Sequence, residues 1–350
     1  MKLEGSRVLA GLAVAVTLAF PSGPATAQDR VSWKMGSTFP SQLTQLGTGG
    51  KRVEEQIDLV SGGEFKIRFF EPNALVPALE VFDAVAKGSI DAGWSAPGYW
   101  VGKIPGAAVL SGIPFGPSAD EYSAWLLFGG GQEIWDKLYA PHGVKPIPCA
   151  VVAPESGGWF RKEITSLDEL KGLKMRFGGA GAKVLDRVGV STQLLAGGDI
   201  FPSLERGTID ATEFSQPAVD LSVGFHQVAK HYYFPGWHQQ ATFLEVLVNL
   251  EKWNALSETR QAQLTTVCQA NMMRMLAEGE AIQAAALEEI EGHGVTIHTW
   301  PPEILSALEA AWQEVVAEEI AKDEGFQEAW ASLAAFREEY DNWASVGHLK

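Results

Sequence analysis

The chain has 350 residues, with 27 Lys and Arg against 43 Asp and Glu, for a formal net charge of −16. So acidic a surface repels phosphate backbones, which excludes nucleic acid as a partner class. No segment approaches the roughly 18 consecutive apolar residues that a membrane-spanning helix needs.

In chain order, Lys2 and Arg7 precede the 13-residue apolar run "VLAGLAVAVTLAF" (8–20), and "ATA" (25–27) stands before Gln28. That is the pattern of a secretory signal peptide, residues 1–27, cleaved after Ala27, and it predicts a periplasmic protein. Loss of Lys2, Glu4 and Arg7 takes the charge from −16 to −17. The mature chain, 28–350, is longer than one hydrophobic core usually supports, so two lobes are expected. Cys149 and Cys268 stand in no metal-ligand spacing; in an oxidising compartment they either pair or form two separately buried thiols.

From 31 the pattern alternates. "VSWKMGS" reads as a strand, "LTQLGTGGKRVEEQIDLVSGG" as a helix with a Gly stop, "EFKIRFF" as an alternating strand, "LEVFDAVAKG" as a helix and "SIDAGWS" as a strand. This βαβαβ order predicts a parallel sheet with helices on its faces. A second such series starts near "VKPIPCAVV" (144–152) and passes through "LKMRFGG", the helices "AGAKVLDRVG" and "FPSLERG", and the strand "TIDATEF". The phrases "VAKGSIDAGWS" (85–95) and "LERGTIDATEF" (204–214) match: a helix ends in a basic residue and Gly, and a buried strand follows with Asp91 or Asp210 at its start. An α/β first lobe (28–150) and a similar second lobe (151–250) are therefore expected. In the remainder, 251–350, Ser257 reads as the N-cap of a long helix ending near "EGHG". "VTIHTW" reads as a short strand, and Glu/Ala/Trp-rich helices follow Pro301 and Pro302.

The sequence carries no complete catalytic motif. "GWSAP" (93–97) has Pro where a nucleophile elbow needs Gly, and His226, His231, His238, His293 and His298 form no HExxH and have no legible carboxylate partner. "FGGAGAKVL" (177–185) lacks the third Gly of a dinucleotide fingerprint. The same turn follows Arg176, and an Arg fork beside amides at a helix start is a receptor for a planar carboxylate; a surface Arg paired with an acidic residue is the ordinary alternative. "PESGGWFRK" and "IDATEFSQP" bring Glu155, Glu213 and Gln216 to strand ends on the same rim, where open parallel sheets bind ligands, and "PGWHQQ" (235–240) follows from the next strand. Trp94, Tyr99, Trp100, Trp159, Phe214 and Trp237 stand at or just past strand ends, and are expected to wall a pocket or else to fill the core.

With these residues in view, the chain resembles the solute-binding proteins of TRAP (tripartite ATP-independent periplasmic) transporters, DctP type, from about Trp33 to the last helix. It is most similar to the branch that binds 2-oxo and 2-hydroxy monocarboxylates, through "GYWVGKIPG", "AWLLFGGGQEIWDKLY", "GGWFRKEI", "ELKGLKMR", "GGDIFPSLERGTIDATE" and "YYFPGWH". The resemblance implies a two-lobed periplasmic-binding-protein-like α/β fold with crossing strands and a long connecting helix, no enzyme activity, and delivery of the ligand to TRAP membrane permease subunits. It implies that Arg176 anchors a small organic carboxylate and that no cofactor is required. It further implies a calcium or sodium ion bridging the ligand to Glu155, Glu213, the Phe214 carbonyl and Gln239. Glu155 stands where that branch usually has Gln, and Gln239 where it usually has Glu. Ser215, Gln216, Ala218 and Val219 also depart from its pattern. A monomer is expected, with Trp312, Val316, Ile320, Trp330, Leu333 and Phe336 packing inside the chain; a dimer exchanging the last helix is the alternative. Three other readings remain: a secreted dinucleotide-dependent oxidoreductase built on "FGGAGA", a secreted scaffold built on the C-terminal helices, and a binding protein for an amino-bearing or aromatic carboxylate.

Overall fold

β1 (Val31–Ser37), α1 (Leu46–Val60), β2 (Phe65–Phe70), α2 (Val81–Ala86) and β3 (Ala92–Ser95) open the computed structural model, which describes residues 30–347. The expected signal peptide and its cleavage site lie outside the described residues. Three helices, α3 (Ala107–Ser111), α4 (Ala119–Phe128) and α5 (Gly131–Tyr139), then lead to β4 (Val144–Val152). Next come β5 (Gly158–Phe160), β6 (Lys174–Arg176), α6 (Gly181–Arg187), β7 (Ser191–Gln193), α7 (Gly197–Glu205), β8 (Ala211–Thr212) and α8 (Pro217–Val223). β9 (His231–Phe234), β10 (Thr242–Asn249), α9 (Leu250–Asn254), α10 (Glu258–Gly292), β11 (Thr296–Thr299), α11 (Pro302–Lys322) and α12 (Glu324–Gly347) complete the order.

The described strands form two sheets, one per lobe, in the orders β2-β1-β3-β10-β4 and β11-β9-β5-β8-β6-β7. β1 is parallel to β2 and β3, as the alternation predicts, but β10 inserts antiparallel between β3 and β4. The second sheet is mixed for the same kind of reason, since β5 runs antiparallel to both β8 and β9. Sheet membership therefore cuts across the sequence divisions at 150 and 250: β4 and β10 both belong to the first sheet. β10 is buried along its whole length and β4 at all but Lys145, because both faces of these strands are covered. They are the strands at which the chain crosses between lobes.

The repeated phrase has one structural meaning at both places. Gly88 and Gly207 adopt φ of 70° and 71°, a left-handed stop that a side chain would strain. The next amide returns to the helix, Ser89 to the Ala84 carbonyl and Thr208 to that of Ser203, each at 2.9 Å. Asp91 then accepts from the Lys34 amide at 2.8 Å and Asp210 from the Lys174 amide at 3.0 Å, pinning the neighbouring parallel strand at the middle of β1 and at the start of β6. Asp91→Ala and Asp210→Ala are each expected to lower stability by about 1–2 kcal/mol. The two share no partner, so the double variant loses the sum. Urea unfolding of the four proteins measures this, and a double variant no weaker than either single one would overturn it.

α10 runs along both lobes, starting at Ser257, whose hydroxyl accepts from the Arg260 amide. On the first lobe, Asn271 donates to the Cys149 carbonyl at 2.8 Å, and Cys149 is joined to Cys268 by a disulfide. On the second, the Gln283 side chain accepts from the Ala218 amide at 2.9 Å. α11 is tied to the second lobe through Arg187–Glu314 and Lys183–Glu319, and α12 to the first through Arg337–Glu121 and Lys137–Glu328. Trp312, Val316 and Leu333 are buried against that packing, with Ile320, Trp330 and Phe336 half-buried beside them.

Candidate functional site

Between the lobes lies a cavity of about 50 Å³, room for a few water-sized groups. The lobes are closed over it: a Cβ placed on Gly98 of the first lobe would come within 3.8 Å of Gly179 of the second. Arg176, the last residue of β6, lies beside Thr212 of β8 in register, which puts Glu213 next to it. Its Nη1 donates to Glu213 Oε1 at 2.6 Å and to the Glu213 carbonyl at 2.8 Å, and its Nε donates to the Leu195 carbonyl at 3.3 Å. The amide of Gly178 also donates to Glu213 Oε1, at 2.7 Å. The expected receptor, an Arg fork beside free amides, is thus partly used by the protein itself. These contacts leave Nη2 over, and the guanidinium acts on the neighbouring Tyr99 hydroxyl, whose pKa is raised by burial, an effect that Arg176 offsets in part.

Glu155, in the β4–β5 loop, and His238, in the β9–β10 loop, meet on the other side. His238 Nε2 is 3.6 Å from Glu155 Oε2 and 3.7 Å from Glu213 Oε2. Glu155 Oε1 accepts from the Thr242 hydroxyl at 2.8 Å, while Oε2 and both His238 nitrogens have no hydrogen-bond partner among the described residues. Burial pushes the Glu155 carboxyl above its ordinary range, and His238 offsets this only in part. Burial acts on Glu213 too, but Arg176 and His238 outweigh it and hold that carboxylate below the usual range. Burial alone would depress His238; the two carboxylates instead raise it to about 9. One atom each from Glu155, Glu213 and His238 lie within 4.8 Å of one another, close enough to share a cation. Two carboxylates, the Gln239 amide and a nearby main-chain carbonyl are the oxygen donors that a hard cation takes.

Arg176, Glu155, Glu213, Tyr99, Phe214 and Gln239 all line the cavity. The Phe214 ring also covers the guanidinium, its centroid 5.4 Å away. Other expected wall residues lie elsewhere. Trp94 is buried in the first lobe with its indole N–H on the Leu46 carbonyl at 2.6 Å, and Trp100 donates to Glu245 at 2.9 Å. Trp159 stacks on Tyr232, and Trp237 packs against Phe115 and Phe177. Packing takes these four because a buried indole fills volume and needs only one acceptor. Gln216 likewise faces away from the cavity, donating to the Ala153 and Pro154 carbonyls and so tying the Glu155 loop to the Glu213 loop. His238, which has no carboxylate partner in the linear sequence, has two in space. Its one sequence signal is that it precedes Gln239 in "PGWHQQ".

Nothing in this geometry serves a dinucleotide. The Gly178 amide, which a phosphate cradle needs, is committed to a carboxylate, and the cavity is far too small. A curated relative from Nostoc sp., a monocarboxylate 2-oxoacid-binding periplasmic protein, is 36% identical over 319 residues, 91% of this chain and 87% of its own length. A TRAP transporter solute-binding protein from Bordetella bronchiseptica, with copurified calcium and picolinate in its site, matches at 33% identity and a TM-score of 0.89, over 91% of this chain and 95% of that one. A TRAP periplasmic solute-binding protein from Pseudoalteromonas atlantica, with bound sodium and pyruvate, matches at 31% identity and a TM-score of 0.87, over 91% and 97%. The model of the bacterial extracellular solute-binding proteins, family 7, matches residues 36–323. With its two lobes closed on a small buried site, the chain belongs to that family, DctP, as an extracytoplasmic solute-binding protein of the TRAP type and not an enzyme.

Proposed function

We propose that this protein captures a small organic monocarboxylate, a 2-oxo or 2-hydroxy acid, together with a calcium or sodium ion, and delivers it to TRAP membrane permease subunits. The observation that carries this reading is that a buried, pre-positioned Arg176 lines the same cavity as Glu155, whose Oε2 has no hydrogen-bond partner among the described residues and only the His238 imidazole, 3.6 Å away, opposite it. In this reading Nη2 of Arg176 takes the ligand's carboxylate. Glu155, Glu213, the Phe214 carbonyl and Gln239 hold the cation that links the ligand to the protein. Tyr99 and Phe214 close the sides. The Bordetella and Pseudoalteromonas proteins, each with a cation and a carboxylate in its site, support the pairing. We further propose export with cleavage after Ala27 and action as a monomer, since Trp312, Val316, Ile320, Trp330, Leu333 and Phe336 of α11 and α12 pack within the chain.

A thermal-shift screen tests the function. After chelation and dialysis into sodium-free buffer, short 2-oxo and 2-hydroxy acids are added with and without calcium or sodium, alongside amino acids, aromatic carboxylates, NAD and NADP. A ligand at a hundred times its Kd stabilises by about 2.7 kcal/mol, which shifts Tm by several degrees. The 2-oxo or 2-hydroxy acids are expected to do so with a cation present, and the dinucleotides to do nothing. A shift with amino acids alone would assign the free Glu155 oxygen to an ammonium group instead.

A further inference from the structure

Besides its charged groups, Gln239 and the Tyr99 and Phe214 rings, the cavity is walled by Phe39, Leu46, Ala96 and Leu244; the Thr242 hydroxyl is spent on Glu155, which leaves two serines, Ser111 from the first lobe and Ser215 from the second. Both residues are 1% exposed, and neither Oγ has a hydrogen-bond partner among the described residues. Buried hydroxyls are ordinarily satisfied, and an orphan one costs free energy, so whatever fills the cavity is selected for meeting these two.

Each hydroxyl is held in place by its surroundings. The Ser215 amide donates to Asp220 Oδ1 at 3.1 Å, and its carbonyl accepts from the Ser156 amide at 3.0 Å. Asp220 is in turn fixed by the Trp159 indole and the Tyr232 hydroxyl, both at 2.9 Å. The backbone of Ser215 is therefore fully committed, and its side chain alone is left for a ligand. Ser111 ends α3, and the following Gly112 lies against the Gln239 side chain. A Cβ on Gly98 would come 3.0 Å from Ser111 Oγ and press on that hydroxyl, which glycine spares.

We propose that Ser111 and Ser215 are specificity-determining residues that read a hydroxyl on the ligand beyond C2, so that the site prefers a short acid hydroxylated at C3 over its methyl counterpart. This inference rests on the monocarboxylate reading above. With the carboxylate and 2-oxygen engaged by Arg176 and the cation, C3 is the part left to meet the wall. A methyl group there leaves both serines unpaired, whereas a C3 hydroxyl both donates and accepts and can satisfy one or both. A site built to hydrogen-bond a ligand hydroxyl rejects the analogue that lacks it. One serine comes from each lobe, so recognition is completed only on closure.

Isothermal titration with calcium present compares lactate with glycerate and pyruvate with hydroxypyruvate, in the parent and in S111A, S215A and the double variant. The hydroxylated acid of each pair is expected to bind the parent about tenfold tighter or better. Each single substitution should remove several-fold of that preference and the double variant nearly all of it, with lactate and pyruvate affinities and Tm almost unchanged. Gly98→Ala, which presses on the Ser111 hydroxyl, should act like S111A. Equal affinities within each pair in the parent, or a preference that survives the double substitution, overturn the inference while leaving the monocarboxylate reading intact. Failure of all four acids to bind overturns both.

Discussion

Arg176→Ala is expected to abolish carboxylate binding and to cost about 3–5 kcal/mol of stability, because it leaves a buried carboxylate without its partner. Glu213 is almost fully buried, its Oε1 held by the Arg176 guanidinium at 2.6 Å and by the Gly178 amide. The Lys variant separates the two effects. An ammonium restores charge beside Glu213 and much of the lost stability. It cannot also replace the Nε contact to Leu195 and keep a second planar donor facing the cavity. Binding should therefore stay at least about a hundredfold weaker in Arg176→Lys while its unfolding midpoint recovers most of the way. Titration calorimetry and guanidinium unfolding of the three proteins read both quantities. A Lys variant that binds within a few-fold of the parent would sink the role assigned to Nη2.

Removing the cation is the second large effect. Chelation in sodium-free buffer is expected to weaken carboxylate affinity about a hundredfold, with calcium or sodium restoring it. Glu155 and Glu213 are balanced by His238, raised to about 9 between them, and by the Arg176 guanidinium, so a carboxylate ligand is a third anion against two cations and leaves the buried site one positive charge short. Like charges about 4 Å apart repel by about 4 kcal/mol at the effective dielectric of such sites, so a ligand anion needs a compensating positive charge. Glu155→Gln keeps an oxygen donor but removes a charge, and should weaken calcium's rescue more than sodium's, since a divalent ion gains more from each carboxylate. Affinity unchanged in the stripped protein would rule out a bridging cation. Identical rescue of the parent and Glu155→Gln would remove Glu155 from its coordination.

Some of this was legible residue by residue. Unlike the bonds of Asp91 and Asp210 to Lys34 and Lys174, far away in the chain, the Gly88 and Gly207 stops are read from neighbours, because the helix carbonyls that their turns satisfy lie within five residues. The Ser257 cap and the end of α10 near Gly292 follow for the same reason. Arg176 was marked by its place at a strand end before a glycine turn. α1 begins later than its periodicity predicts, at Leu46, because Gln45 takes a positive φ of 58° that ends the preceding turn. Of the six aromatics at strand ends, Tyr99 and Phe214 line the cavity and four fill the core.

The sequence by itself therefore determined the local devices, the alternation of strand and helix and, through its ordered motifs, the family, and it singled out Arg176 as the proposed carboxylate anchor. Capping, turn formation and periodicity act over a few residues, and residue type alone expresses them. Only the tertiary structure decided that β10 inserts antiparallel between β3 and β4, that Cys149 meets Cys268, that Glu213 engages part of the Arg176 fork, and that His238 lies between two glutamates. It also decided that Ser111 and Ser215, each with a hydroxyl that has no hydrogen-bond partner among the described residues, meet at one cavity from opposite lobes. These are contacts between segments far apart in the chain. Their partners are chosen by which faces the whole core buries, a global packing condition that no short window of sequence contains.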